Sequence, residues 1–158
     1  MQTDLKYIKG DATSPQGSGN KIIVHICNDI GGWGKGFVMA LSKRWKAPEQ
    51  AYRNWYDSQE NFVLGEVQFV QVEPDKWVAN MIAQRGIRKS SNNIPPIRYE
   101  AVNAGLDKVA EFASQKEASV HMPRIGCGLA GGTWDKVEPI IKAAFLDAGT
   151  SVTVYDFD

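Results

Sequence analysis

The spacing of apolar and polar positions changes several times along this chain, and each change marks an element. Residues 21–27 (Lys21-Ile22-Ile23-Val24-His25-Ile26-Cys27) are almost continuously apolar and β-branched, the pattern of a central strand covered on both faces. The shorter run Tyr7-Ile8-Lys9 predicts a first strand that ends at Gly10-Asp11, and residues 13–20 are turn chemistry throughout. Phe37, Val38, Leu41 and Trp45 recur at helical spacing as far as Lys46-Ala47. Pro48 then suits the first turn of a second helix that carries Ala51, Tyr52, Trp55 and Tyr56. Residues 66–72 alternate like a strand, and 77–83 read as its hairpin partner across Glu73-Pro74-Asp75-Lys76.

Residues 86–96 form a loop rich in Ser, Asn and Pro. Val102, Leu106, Val109 and Ala113 then make the inner face of a long helix, and 118–122 a short strand. Thr133 is the expected N-cap of a last helix with Val137, Ile140, Ile141 and Phe145 inward, and Pro139 predicts a distorted first turn. Residues 152–157 close the series as a strand. Strand and helix alternate, so the expected architecture is a three-layer α/β/α fold around a mixed, largely parallel central sheet. No internal repeat or dividing linker appears, and 158 residues suit one hydrophobic core; residues 1–158 read as a single domain.

Composition narrows the functional classes. Eighteen basic residues balance eighteen acidic ones, so bulk charge gives no reason to expect a nucleic-acid or membrane partner, although a local positive pocket remains compatible. Cys27 and Cys127, with His25 and His121, lack the spacing of a zinc set; two free thiols, no metal and no cofactor are expected. The N-terminus lacks a signal-peptide layout, and no apolar run approaches the roughly 20 residues of a membrane span. The expected compartment is the cytoplasm.

The candidate chemistry lies in two glycine-rich segments that each leave a strand end and run toward a helix. The first is Asn28-Asp29-Ile30-Gly31-Gly32-Trp33-Gly34-Lys35-Gly36. The second is Arg124-Ile125-Gly126-Cys127-Gly128-Leu129-Ala130-Gly131-Gly132. Ligands of open α/β sheets bind beyond the carboxyl ends of strands. Glycine lets several N–H groups converge there, which favours a phosphate or pyrophosphate. Neither segment is a Walker loop or a dinucleotide fingerprint. Several side chains stay open between two roles: Trp33 covers a sugar or anchors its loop, and Lys35 meets phosphate or solvent. Asp11, taken by itself, suits a strand-end cap. His25 is a proton-transfer group or a packed core histidine, and Tyr155, taken by itself, suits simple core.

Gly10-Asp11, Val24-His25-Ile26-Cys27-Asn28, Gly34-Lys35-Gly36 and Met122-Pro123-Arg124-Ile125-Gly126-Cys127-Gly128-Leu129, with Trp134 and Val152-Thr153-Val154-Tyr155 after them, resemble a macro domain. The likeness runs in order along nearly the whole chain. It is nearest the branch holding ADP-ribose-protein glycohydrolases and ADP-ribose 1''-phosphate phosphatases. It implies binding of ADP-ribose or its conjugates, an ADP-ribosylated protein among them. Asp11 would accept from the adenine amine, with Ala12 beside it, and Asn28 would orient the distal ribose. Gly32, Trp33, Gly34, Lys35 and Gly36 would hold that ribose and a phosphate. Ile125, Gly126, Cys127, Gly128 and Leu129 would line the pyrophosphate, and Tyr155 would stand near the ligand. The resemblance also implies catalysis by His25 and Asn28 on the terminal phosphate. The glycohydrolase branch uses a lysine and an aspartate instead. Here Ala130 follows Leu129, while Gln84 and Arg85 stand near the lysine position, with Lys89 later in that loop. An enzyme acting on an ADP-ribose conjugate and a non-catalytic reader of ADP-ribose both remain open.

Overall fold

Ten elements carry the chain in the computed structural model, which describes residues 5–89 and 92–157. They are β1 (Leu5–Lys9), β2 (Lys21–Asn28), α1 (Phe37–Arg44), α2 (Ala47–Ser58), β3 (Val67–Glu73), β4 (Lys76–Gln84), α3 (Tyr99–Lys116), β5 (Ser119–Met122), α4 (Trp134–Phe145) and β6 (Val152–Asp156). The strands form one sheet in the order β1-β6-β5-β2-β4-β3. Every neighbouring pair is parallel except the β3–β4 hairpin. The expected three-layer, largely parallel architecture is the one observed. Among the described residues no helix is long and apolar enough to cross a membrane.

β2 lies between β4 and β5 and is buried along almost its whole length. Side chains of a strand alternate faces, and this strand sends each set into a different core. Ile22 and Val24 join the larger cluster with Leu106 and Val109 of α3 and Ile141 and Phe145 of α4. Ile23 and Cys27 join a smaller, aromatic cluster with Trp33, Leu41 of α1, Tyr52 of α2 and Phe62. Burying an Ile or Leu of this kind stabilises the fold by about 1.5–3 kcal/mol. With both faces covered, the chemistry is left to the strand ends.

Three local expectations need correction. Thr133 does precede α4 in extended backbone, but its side chain makes no capping bond. The first turn of α4 is tightened instead by the Lys136 N–H donating to the Thr133 carbonyl at 3.1 Å, and the helix runs through Pro139 to Phe145. α1 stops at Arg44, and Trp45 is its extended C-cap rather than a helical residue.

Two buried histidines tie the layers together. Asn80 of β4 donates through Nδ2 to the Pro48 carbonyl (3.1 Å) and to Gln68 Oε1 (3.0 Å). Its Oδ1 must therefore accept from His25 Nε2, 2.6 Å away. His121 of β5 bonds Tyr155 Oη through Nδ1 and Ser119 Oγ through Nε2, each at 2.7 Å. Burial pushes both imidazoles down to about 4, against the Asn80 bond for His25 and with help from the Lys21 charge for His121.

The folded state thus binds fewer protons than the unfolded chain between the ordinary histidine value near 6.5 and about 4. Stability is complete above that window and falls as pH drops through it, by up to about 3 kcal/mol for each histidine. Thermal melts from pH 7 to pH 4.5 should show a falling Tm, and His121→Gln should flatten the slope. A slope unchanged in that variant would contradict the assignment.

Candidate functional site

The carboxyl ends of β5, β2 and β4 open into one cleft of about 870 Å³. Its walls are the two glycine-rich loops, and its floor includes His25, Cys27 and Asn28 of β2 and Gln84 of β4. The loops meet where a β-carbon on Gly36 would touch Leu129 Cδ1 at 3.5 Å. A smaller cavity of about 380 Å³ lies at the opposite, amino ends of the strands, beside Ser18, Asn20, Ser119 and Ser151.

The second loop is closed on itself by Gly132 N–H donating to the Gly126 carbonyl (2.7 Å) and Gly131 N–H to that of Gly128 (3.0 Å). Both ends of the first of these bonds require glycine. Gly126 has φ +76°, and its β-carbon would fall 2.4 Å from Ile97 Cδ1; one on Gly132 would fall 2.5 Å from the Gly126 carbonyl itself. Among the described residues, the N–H groups of Gly126, Gly128, Leu129 and Ala130 have no acceptor in the protein. Those of Gly34, Lys35 and Gly36 in the first loop also have none, and the first-turn amides of α1 follow directly.

The first loop is held from inside by Asn28. Its Oδ1 accepts from Ile30 N–H (3.0 Å) and Gly32 N–H (2.9 Å), and its Nδ2 donates to the Gly32 carbonyl (3.0 Å). The hydroxyl of fully buried Tyr52 sits 2.6 Å from the Asn28 carbonyl and 2.9 Å from Oδ1, sharing its proton between them. Burial pushes the Tyr52 phenol up, so it is a donor at any working pH. Trp33 is buried against His25 and Tyr52, and its Nε1 donates to Ser42 Oγ at 2.8 Å. The tryptophan therefore anchors the loop on the aromatic core while its edge lines the cleft.

Electrostatically the cleft departs from the neutral chain. Among the described residues, Lys35, Arg53, Arg88 and Arg124 line it, and no Asp or Glu does. Arg53 is braced by Glu49 at 3.0 Å and reaches the Trp33 carbonyl at 3.4 Å. Asp156 holds Arg124 by two bonds of 2.6 and 3.1 Å, and the guanidinium lies 5.1 Å from the ring centres of both Tyr7 and Trp134. Lys35 and Arg88 have no ion-pair partner among the described residues. Such a lining favours an anion.

His25, Asn28, Gly32, Trp33, Gly34, Lys35, Gly36, Ile125, Gly126, Gly128 and Leu129 are brought together here, as the sequence led one to expect. Four residues are not. Ala12 is buried outside the cleft, and Asp11 uses one carboxylate oxygen on Thr13 N–H (2.8 Å) and Thr13 Oγ1 (2.7 Å), a strand-end cap. Tyr155 is buried, its hydroxyl taken by Gln16 N–H and His121, so it is core. Cys127 lies outside the lining, and its N–H donates to the Arg124 carbonyl at 3.3 Å. Arg53, Gln84, Ile87 and Arg88 line the cleft without a role in the sequence-based set. Gln84 had a signal, as the first polar residue at the end of an apolar strand; Arg53 had only the Glu49 four residues earlier.

No protein-family model matches the chain. A macrodomain protein from Streptomyces coelicolor is 54% identical in sequence, with a TM-score of 0.87; the match covers 97% of this chain and 99% of that one. Chromodomain-helicase-DNA-binding protein 1-like from Danio rerio is 33% identical over 162 residues, 97% of this chain, yet the chain spans only 16% of that relative's length. An ADP-ribose 1''-phosphate phosphatase from Meyerozyma guilliermondii is 26% identical over 161 residues, which cover 87% of this chain and 92% of that relative.

Tyr52→Phe removes only the hydroxyl that braces Asn28. It should cost about 0.5–1.5 kcal/mol in urea unfolding, the net worth of one buried hydrogen bond, because Oδ1 keeps its two N–H donors. A change below about 0.3 kcal/mol would mean that the brace does not hold the loop.

Proposed function

The chain belongs to the macrodomain family, and on that premise we propose that it binds ADP-ribose and hydrolyses ADP-ribose 1''-phosphate or another ADP-ribose conjugate. One observation carries the reading: two facing loops offer acceptor-free amides to a cleft with four cations and no carboxylate. A pyrophosphate fits that lining, since several N–H donors and an α-helix start can share its charge. The named phosphatase relative supports the choice of substrate. An ADP-ribosylated protein is a further candidate conjugate.

The ligand then lies across the strand ends. Its adenosine end would point toward β6 and β1, where Arg124 lies against Tyr7 and Trp134; its distal ribose would point toward β2 and β4. Preset donors of this kind stabilise charge that develops on a phosphoryl group. His25 supplies a lone pair: with Nε2–H given to Asn80, Nδ1 is unprotonated and has no protein partner. At neutral pH this imidazole is uncharged, so its role in the reaction would be that of an acceptor and not of a cation. Nδ1 is sealed from solvent and would meet a substrate only where the packing around it opens.

A second reading, a non-catalytic reader of ADP-ribose, is favoured by the commitment of Asn28 to its own loop, where Oδ1 is taken by backbone N–H groups and only the second N–H of Nδ2 is left. Calorimetry with ADP-ribose, followed by phosphate release from ADP-ribose 1''-phosphate, separates the two. The phosphatase reading expects heat and product, with His25→Ala losing at least ~10²-fold in turnover while affinity changes little. Heat without product from any conjugate would leave the reader, and no heat at all would remove both.

A further inference from the structure

A distal ribose in this cleft needs a hydrogen-bond acceptor for its hydroxyls, and the residue expected to serve is already occupied. Asn28 Oδ1 takes two backbone N–H groups and shares the Tyr52 proton. Oδ1 cannot turn outward without releasing the loop, and Nδ2, bonded to the Gly32 carbonyl, keeps only a second N–H, which is a donor and not an acceptor.

Its neighbour is different. Across the β2–β4 pair, after a bulge at Cys27/Asn28, Asn28 stands in register with Gln84. Gln84 is 9% exposed and lines the cleft. Its Nε2 donates to the Gly86 carbonyl at 2.9 Å, which fixes the orientation of the amide. Gly86 is itself pinned, its N–H donating to Asp29 Oδ1 at 2.8 Å. With Nε2 committed, Oε1 is the remaining polar atom of the amide, and it has no partner among the described residues. Among the described residues the lining has no carboxylate, and its side-chain acceptors without a partner are Gln84 Oε1 and the deeply buried His25 Nδ1.

We propose that Gln84, not Asn28, is the specificity-determining residue for the distal ribose, with Oε1 accepting from one of its hydroxyls. The inference rests on the ADP-ribose reading. A nearly buried acceptor discriminates strongly against a ligand that brings no donor, because the acceptor is then left unpaired.

The test is calorimetric titration of the whole chain with ADP-ribose and with ADP, which lacks the distal ribose. Wild type should prefer ADP-ribose. Gln84→Met should cut that preference about tenfold by weakening ADP-ribose, with the ADP affinity unchanged within about twofold. Gln84→Asn, whose shorter stem withdraws the carbonyl, should behave like Gln84→Met. If Gln84→Met weakens both ligands equally, the side chain only supports the loop at Gly86 and the inference is wrong. A preference retained in both variants also overturns it, while the ADP-ribose reading stands. Wild type that binds neither ligand removes that reading as well.

Discussion

Backbone N–H groups with no acceptor are costly in a folded protein unless water or a ligand satisfies them. Here a set of them lies at the carboxyl ends of β2 and β5, and most of the site can be understood as what holds them there. β2 and β5 are parallel neighbours, so the loops that leave them emerge side by side. Gly126 and Gly132 let the second loop fold tightly enough for its remaining amides to face outward. Asn28 does the corresponding work in the first loop with a side chain, and Tyr52 fixes Asn28 from the next layer. Loosening any of these ties would let the amides find other acceptors.

Charge follows the same economy of placement. The chain carries no net charge, yet among the described residues the charged side chains that line the cleft are all cationic. Two of the four are held stiffly by carboxylates that stay outside the lining, Glu49 for Arg53 and Asp156 for Arg124. Both pairs are partly exposed, so they add little stability and serve mainly to aim the guanidinium groups. His25, neutral through burial, adds an acceptor without adding charge. The cleft therefore combines a cationic lining rich in free amides with two side-chain acceptors, a pairing suited to a ligand with both phosphates and hydroxyls.

Much of the fold could be read from the chain. The β-branched run at 21–27, the hairpin about Glu73 to Lys76 and the inward stripes of α3 and α4 all depend on local periodicity, and all appear at close to their expected bounds. The glycine loops were equally visible, because glycine advertises its own backbone role. What stayed hidden depends on partners distant in sequence. Nothing local says that the hydroxyl of Tyr52 reaches Asn28, that Asn80 fixes the tautomer of His25, or that Tyr155 gives its hydroxyl to His121. The same limit explains Arg53 and Arg88, which enter the cleft only once α2 and the loop after β4 are packed against the first glycine segment.

The central claim concerns main-chain donors, so the most direct measurement observes them. In an amide-resolved NMR titration with ADP-ribose, the N–H signals of Gly126, Gly128, Leu129 and Ala130, and of Gly34, Lys35 and Gly36, should shift most and saturate together. The signal of Cys127, whose N–H is already bonded within its loop, should move less than its neighbours. Shifts gathered instead around Ser18, Asn20, Ser119 and Ser151, at the other end of the sheet, would contradict the account.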